Sequence, residues 1–291
     1  MTNIRSLTQR LSFPGRRRAV APLELHRLFW LRIWIGCTLL FLYAPIIVLV
    51  VFSFNDSKRN VVWRGFTLKY YEKAFANSEL VLAFGNTLTI AVISTIISVI
   101  LGSLAAVLLW RFRFPFKAAH DGALALPIVI PEICMGVALM AFYTRINWPT
   151  DMVWPFNLSS ITFAHVAFSF PFVAMVVRAR LEGFNREQME CAQDLGASEW
   201  QVLRDIIMPF LLPGLIAGGL LAFTLSLDDF VITFFTSGPN TVTFPVKIYS
   251  MVRFSVTPEV NAASTILILI TIVLTAVGMR LQGRKGGNLT D

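Results

Sequence analysis

The amino-acid sequence predicts an all-α integral membrane protein with six transmembrane helices. Hydrophobic residues make up 56% of the chain and charged residues only 14%, with a mean hydropathy of +0.67. Soluble domains are about 45–50% apolar and about 25% charged. Two further observations support this class: the apolar residues are gathered in six long runs, and Lys and Arg concentrate in alternate segments between them.

The six runs define the predicted spans. A helix needs about 20 mostly apolar residues to cross a hydrocarbon core of ~30 Å. Runs of that length lie at residues 33–54, 82–109, 122–143, 158–177, 212–236 and 262–282. We therefore expect a membrane domain over residues 33–282, a basic cytoplasmic segment 1–32 before it and a cytoplasmic tail 283–291 after it.

The N-terminal segment and the loop charges predict the orientation. Residues 1–32 hold seven Arg and no apolar run before Leu28, so the first span is expected to be the insertion signal rather than a cleavable signal peptide. The predicted inner segments (1–32, 110–121, 178–211 and 280–291) hold 17 of the 25 Lys and Arg residues. Cytoplasmic loops carry such an excess, which predicts that both termini are inside. The net charge of +8 is then a sign of topology and not of nucleic-acid binding.

The first outer loop, residues 55–79, is basic for an outside segment. Its stretch "GFTLKYYEKAF" predicts a short amphipathic helix on the outer surface. The second span follows and is the most distinct, because residues 80–110 contain no ionisable side chain.

The third span contains a predicted break and an acidic residue. Pro127 and Pro131 are expected to bend or break the helix. In a straight helix that begins near Gly122, Glu132 would lie about 15 Å along the axis, near the bilayer midplane. A broken helix at that depth is tolerated where it lines a cavity. The alternative is a packing kink with a protonated Glu132.

The fourth span and its neighbours contain residue types that bind metals or catalyse reactions elsewhere. His165 and His120 lack metal-ligand partners at helical spacing, so both are interpreted as structural. The three Cys form neither a disulfide framework nor a zinc pattern. No catalytic arrangement of Ser, His, Asp or Cys is apparent, and we expect no metal site.

The loop 178–211 is polar and predicted to be helical. It contains four basic and six acidic residues. This excess of acids disfavours an amphipathic helix resting on an anionic leaflet and favours a protein partner. Gly196 interrupts the pattern and predicts a turn between two short helices. The apolar stripe of this loop is Met189, Ala192, Leu195, Val202, Leu203 and Ile206.

This loop resembles the EAA motif of the membrane subunits of ATP-binding-cassette (ABC) importers. That motif reads E-A-A, three residues, G, nine residues, I-x-L-P. The matching positions here are Glu190, Cys191, Ala192, Gly196, Ile206, Met208 and Pro209. Cys191 stands where the family has Ala, and Met208 where it has Leu. Both exchanges are small or conserve volume.

The resemblance implies a fold, a set of partners and a division of labour. It implies a type I ABC importer permease in a bacterial inner membrane, coupled through this loop to an ATPase dimer that binds ATP and Mg. It also implies a homologous second permease subunit and an extracytoplasmic binding protein. No G-x-x-x-x-G-K-[ST] sequence occurs, so this chain is expected to be non-catalytic and to need no cofactor. "FLYAPIIVLVVFSFN" (41–55) and "LAFTLSLDDFVITFF" (221–235) resemble the branch that carries the polyamines spermidine and putrescine.

The fifth span contains Asp228 and Asp229. Counted from Leu212, Asp228 lies about 24 Å along the helix, in the outer half of the membrane. Acids inside a membrane usually face a cavity or a partner, and neither this span nor the third contains Lys or Arg. With Glu132, these acids predict a pathway for a cation. The alternative is that Asp228 and Asp229 are solvated at the interface or cap a break in the helix.

Aromatic residues on the outer side add to this hypothesis. Candidates for cation–π contact with ammonium groups are Tyr143 and Tyr249, together with Trp63, Trp148 and Trp154. The alternative for all of these rings is the interfacial belt.

Three other functions stay open on sequence grounds. An ABC permease for an amino acid, opine or metal chelate would have the same loop motif. A secondary transporter driven by an ion gradient would use the membrane acids as proton relays. A scaffold without transport would leave those acids unexplained.

Overall fold

The computed structural model describes residues 29–57, 62–146, 158–238, 241–254 and 257–286, and in these ranges the chain is almost entirely helical. In chain order the helices are α1 Phe29–Phe52, α2 Lys69–Ala76, α3 Ser78–Arg111, α4 Lys117–Val129, α5 Glu132–Arg145, α6 Ser159–Glu182, α7 Glu187–Asp194, α8 Glu199–Gln201, α9 Met208–Asp228, α10 Val231–Thr236, α11 Phe244–Phe254 and α12 Pro258–Gly286. A π-helical segment, Val202–Ile207, joins α8 to α9. Most of the predicted basic segment 1–32, together with Trp148 and Trp154, lies outside the described residues.

Five of these helices are long and apolar enough to cross a membrane, and a sixth span results if the bent pair α4–α5 is counted as one. This confirms the all-α membrane class and the predicted number of spans. Helix α1 belongs to a compact unit of its own, Met1–Val51. Within α1, the Thr38 hydroxyl donates to the Trp34 carbonyl oxygen at 2.9 Å, so its polar side chain is satisfied inside the helix.

The second unit, Phe52–Asp291, is built around α3, α6 and α9, which pack against one another. The buried residues of this core include Ala106, Val173, Val177, Leu181, Leu211 and Ala222. Small residues allow the helices to approach closely. A Cβ at Gly102 would lie 2.7 Å from the Phe170 carbonyl oxygen, and one at Gly218 would lie 3.1 Å from Cγ1 of Val173. Membrane helices commonly pack through such small residues, because these bring the backbones together.

The predicted short amphipathic helix after the first span is confirmed as α2. Tyr70 and Ala74 are its buried residues, and α2 packs on α3 and α12. The Tyr70 hydroxyl donates to the Ser57 carbonyl oxygen at 2.8 Å. Lys69 donates to Asp56, and that hydrogen bond raises the pKa of Lys69 above its ordinary value. Helix α3 then begins at the Asn77 cap, whose side chain accepts from the backbone N–H groups of Glu79 and Leu80.

The third predicted span is two helices, as the prolines indicated. Helix α4 ends at Val129, Pro131 precedes α5, and the two axes differ by 107°. Pro131 offers no N–H to continue the ladder of α4. The straight helix from which the depth of Glu132 was predicted is contradicted, because the chain turns by 107° just before this residue.

The fifth span differs from its predicted bounds of 212–236 at both ends. The helical run already begins at Glu199 and continues through the π-helical segment into α9. Pro209 occupies the first turn of α9, where a missing N–H costs little. At the other end the helix stops at Asp228, and α10 forms a separate short helix.

Candidate functional site

Two groups of residues carry the predicted chemistry, and the first is the α6–α9 loop (residues 183–207). Helix α7 ends at Asp194, and Gly196 shortly after it has φ +87°. The Ala197 N–H donates to the Ala192 carbonyl oxygen and the Gly196 N–H to that of Gln193, both at 2.9 Å. These two bonds form a Schellman cap, which needs a left-handed residue at this position. The predicted turn at Gly196 is therefore confirmed.

The second short helix of the loop begins at a capping box. Ser198 Oγ accepts from the Gln201 N–H at 3.3 Å, and Gln201 Oε1 accepts from the Ser198 N–H at 2.7 Å. Two backbone donors at the start of α8 are satisfied in this way. The loop is therefore folded by its own local contacts.

The motif residues divide between the two faces of this loop. Ala192 and Ile206 are half-buried and pack on the core of α3, α6 and α9, next to the fully buried Val202 and Ile207. The motif residues on the exposed side are Glu190, Cys191, Gly196, Met208 and Pro209. Leu195, which the sequence placed in the apolar stripe, is 89% exposed, because the chain turns at Gly196 directly after it. Trp200 is also exposed, at 68%.

Polar and aromatic contacts tie this loop to the ends of the long helices. Glu199 pairs with Arg111 at the end of α3 and accepts from Gln193 Nε2 at 2.8 Å. Three aromatic rings continue these contacts: the centroid of Phe184 lies 5.6 Å from that of Trp110 and 5.1 Å from that of Phe210. A guanidinium group lies over each end of this row, Arg186 at 5.0 Å from the Trp110 ring and Arg180 at 4.3 Å from the Phe210 ring. A force applied to the loop would therefore reach α3, α6 and α9.

The second group surrounds the break between α9 and α10, where the acidic residues lie. Asp229 is buried, with 4% of its side chain exposed. Its Oδ2 accepts from the N–H and the hydroxyl of Thr233, both at 2.8 Å, and its Oδ1 accepts from the Ile232 N–H at 3.3 Å. Of the alternatives that the sequence left open, the cap on a helix break describes Asp229.

Asp228 and Glu132 are exposed instead. Asp228 is the last residue of α9 and Glu132 the first of α5, and the two lie close enough for their negative charges to repel each other. Helix α5 packs on α10 across Gly136, where an added Cβ would lie 2.9 Å from Cδ2 of Phe235. We call Asp228 and Glu132 the acidic pair.

The two tyrosine candidates have different surroundings. Tyr249, on α11, is 48% exposed, and its ring centroid lies 4.6 Å from that of Phe230 and 6.4 Å from that of Phe234. Phe230 lies between α9 and α10, so Tyr249 packs at the break between these two helices. Tyr143 is 7% exposed and donates to the Ser160 carbonyl oxygen at 3.0 Å. Its ring belongs to the packing of α5 on α6 in this conformation.

The sequence missed a partner of Asp229. His165 Nε2 lies 3.2 Å from Asp229 Oδ2, and the histidine is 3% exposed. A separation of 64 positions hides this pair from any local pattern; the one available signal was a histidine inside an apolar span. Among the described residues, no group of three or more His, Cys, Asp and Glu side chains is arranged to hold a metal ion.

Residues 21–284 match a family model described as "Binding-protein-dependent transport system inner membrane component". The chain belongs to this family. This inner-membrane permease is 40% identical over 252 residues to the spermidine/putrescine transport system permease protein PotC of Escherichia coli, covering 86% of this chain and 93% of that one. It is 40% identical over 244 residues to the putrescine transport system permease protein PotI, covering 82% and 83%. The molybdenum transport system permease protein ModB is more distant, at 30% over 206 residues, 67% of this chain and 89% of that one.

Solved structures show the same fold for the permease. The structure of a bacterial ABC transporter involved in the import of alginate superimposes with a TM-score of 0.69 at 17% identity, covering 92% of this chain and 98% of that one. An inward-facing form of the MetNI methionine ABC transporter gives 0.61 at 17% identity, covering 71% and 95%. The permease therefore has the fold of type I ABC importers and is a multi-pass inner-membrane protein.

Proposed function

We propose that this permease forms half of the translocation pathway of an ATP-driven importer of polyamines such as spermidine and putrescine. The observation that carries the proposal is the acidic pair, which lies in spans without Lys or Arg, together with the Tyr249 ring that packs on Phe230 at the α9–α10 break. Residues 118–144 and 205–246 hold no Lys or Arg. Carboxylates without nearby bases attract cations, and aromatic faces add cation–π attraction to ammonium groups.

The relatives support the same cargo. PotC is named for spermidine/putrescine transport and PotI for putrescine transport. Each is 40% identical to this chain. Carboxylates along the pathway would repel an anion, which argues against a negatively charged cargo. An amino acid, opine or metal chelate is the remaining alternative within the family.

The α6–α9 loop is the proposed contact with the ATPase dimer, which binds ATP and Mg. Its exposed motif residues, with Leu195 and Trp200, offer an apolar surface at the tip of a folded loop. In this proposal Glu190, Cys191, Ala192, Gly196, Ile206, Met208 and Pro209 serve the coupling, by direct contact or by packing beneath it. The chain itself has no phosphate-binding motif, so the energy comes from the partner.

The other half of the pathway comes, in this proposal, from a homologous permease subunit. An extracytoplasmic polyamine-binding protein delivers the cargo to the outer loops. An alginate transporter with this fold has been solved in complex with its substrate-loaded periplasmic protein. The pathway domain extends over residues 33–282, with the segments 1–32, 178–211 and 283–291 in the cytoplasm.

Uptake by the complete complex in proteoliposomes tests the proposal. We expect spermidine uptake to require ATP and to be blocked by vanadate, with competition by putrescine but not by an amino acid or a metal chelate. The double variant Asp228→Asn/Glu132→Gln should lose uptake while the complex still assembles. Glu72→Gln, at an exposed acid on α2, is the matched control. Full uptake by the double variant would refute the acidic pathway, and uptake without ATP would favour an ion-gradient transporter.

A further inference from the structure

His165 lies at the centre of a buried polar network that joins four helices. Its Nδ1 lies 2.7 Å from Ser226 Oγ on α9, and its Nε2 lies 2.8 Å from Thr233 Oγ1 on α10. Ser226 also receives a hydrogen bond from Ser94 of α3 at 3.1 Å. Every one of these side chains is buried. In a membrane core, where no water replaces a lost partner, such a network is costly to leave incomplete.

The donors and acceptors assign the proton of His165 to Nε2. The Thr233 hydroxyl donates to Asp229, so its oxygen is left to accept, and the ring nitrogen that faces it must donate. On the other side Ser226 accepts from Ser94 and keeps its own proton for Nδ1. A neutral imidazole with its proton on Nε2 therefore satisfies the whole chain, and the order of donation ends at the Asp229 carboxylate.

A second hydrogen-bonded pair holds the backbone of α6 at the same place. Ser169 donates to the His165 carbonyl oxygen at 2.7 Å, and its oxygen lies 2.7 Å from that of Ser98 on α3. Both serines are buried. The histidine is thus fixed at its main chain as well as at its ring, which makes it a rigid support for Asp229.

Asp229 in turn determines how the chain leaves α9. Its carboxylate caps the first turn of α10 through Ile232 and Thr233. Asp228 is the last residue of α9 and precedes this anchored carboxylate directly. Asp229 has already left the helix, with φ −62° and ψ 122°, so its side chain and that of Asp228 point in different directions. A fixed direction for Asp229 therefore leaves Asp228 directed away from the network, where the structure exposes it.

We propose that His165 is the positioning residue of the pathway: by holding the Asp229 carboxylate, it fixes the α9–α10 break and directs Asp228 toward the polyamine. This role rests on the proposed function of Asp228. His165 is not expected to touch the cargo, because its ring is enclosed. The competing explanation is a core histidine that contributes only to packing.

The test measures the direction of residue 228. In a chain with Cys37, Cys134 and Cys191 replaced by Ala, Asp228→Cys reacts with a cationic methanethiosulfonate reagent in the assembled complex. We expect His165→Ala to change that rate about tenfold, the effect of losing one hydrogen bond to a charged group. His165→Gln, which keeps a donor near Nε2, should restore the rate to within about twofold. Glu72→Cys on α2 is the control for general loosening and should not change.

Two milder variants keep the test informative if His165→Ala does not fold. Thr233→Val removes the hydroxyl between the ring and Asp229, while Ser226→Ala removes the hydroxyl on the opposite side of the ring. The proposal expects the first to alter the reactivity at position 228 more than the second. Equal effects of the two, or equal effects at positions 228 and 72, would assign His165 to packing alone.

The outcomes also separate this inference from the proposed function. If Asp228→Asn abolishes uptake but His165→Ala leaves the reactivity at position 228 unchanged, the positioning role is wrong and the pathway stands. If Asp228→Asn transports normally, the proposed pathway role of the Asp228 carboxylate is wrong. The positioning role of His165 is then wrong as well, whatever the reactivity of the cysteine at position 228.

Discussion

At the scale of single residues, two adjacent aspartates have opposite surroundings. Asp229 is enclosed and accepts hydrogen bonds from Ile232 and Thr233, whereas Asp228 is exposed at the end of α9. A buried carboxylate depends on its partners for stability, since losing one of them leaves a desolvated charge. An exposed carboxylate remains available to a ligand. The two neighbouring aspartates therefore differ in role: Asp229 stabilises the α9–α10 break, and Asp228 is the carboxylate that we propose for the pathway.

The first prediction concerns this division. Asp229→Asn should lower the stability of the purified complex by about 1–3 kcal/mol, because the amide presents only one oxygen to the donors around the carboxylate. Asp228→Asn should leave the stability within about 0.5 kcal/mol, because its side chain has no buried partner to lose. Thermal unfolding followed by intrinsic fluorescence measures both. Equal melting temperatures for the two variants would contradict the assignment.

A second prediction at this scale concerns Gly196. An alanine there would keep φ near +87° at a cost of about 1–2 kcal/mol, although nothing lies within 4 Å of its Cβ. We expect Gly196→Ala to weaken binding of the ATPase about fivefold or more. Gly183→Ala is the matched control, because Gly183 lies at the start of the same loop with φ −87°. Both are measured by titrating the ATPase onto the permease in detergent. Equal affinities would show that the turn does not shape the docking surface.

At the scale of secondary-structure elements, the close contact of α3 with α6 governs the core. Gly102 lies against the backbone of α6 near Phe170, and the Ser98–Ser169 pair lies one turn away on the same helices. Helices that approach this closely gain dispersion contacts and interhelical hydrogen bonds together. The α6–α9 loop contacts this core through Phe184, whose ring packs on Phe210 of α9.

The third prediction tests that contact. Gly102→Ala would place a methyl group 2.7 Å from the Phe170 carbonyl oxygen, so the helices must separate. We expect a loss of about 1–3 kcal/mol, as for other overpacked cores. Gly85→Ala, on the same helix with nothing within 4 Å of its Cβ, should be neutral or slightly stabilising. Thermal unfolding of the two variants side by side provides the measurement. A stable Gly102→Ala protein would mean that α3 and α6 are less tightly packed.

At the scale of the whole molecule, charge is sorted by location. The chain has a net charge of +8, yet its third and fifth spans carry acids and no bases. The predicted inner segments hold 17 of the 25 Lys and Arg residues. Lys and Arg thus gather in the predicted inner segments, whereas two of the three acids inside the spans, Glu132 and Asp228, are assigned to the proposed pathway.

The fourth prediction is the orientation that follows from this sorting. Alkaline phosphatase fused after residue 291 should be inactive and green fluorescent protein at the same position fluorescent, because we expect both termini in the cytoplasm. Alkaline phosphatase fused after residue 72, in the outer segment, is the control and should be active. The opposite pattern at either position would overturn the topology.

The sequence predicted what depends on local chemistry. Pro127 and Pro131 predicted the break of the third span, and Gly196 predicted the turn, because the backbone of each residue restricts or permits particular conformations. The partnership of His165 with Asp229 was missed, since it depends on how α6 packs against α9. Leu195 was misplaced for a related reason: helical periodicity was extended through a position where the helix ends.

Helix α6 has one more consequence, for how the protein enters its membrane. It is the least apolar of the five unbroken spans and also the most buried. The His165 imidazole and the Ser160 hydroxyl have their partners on other helices, so a translocon that releases α6 alone would expose these groups to lipid. We therefore expect α6 to remain in the translocon until it has packed against α3. Insertion of the second half of the chain then depends on the N-terminal half being in place.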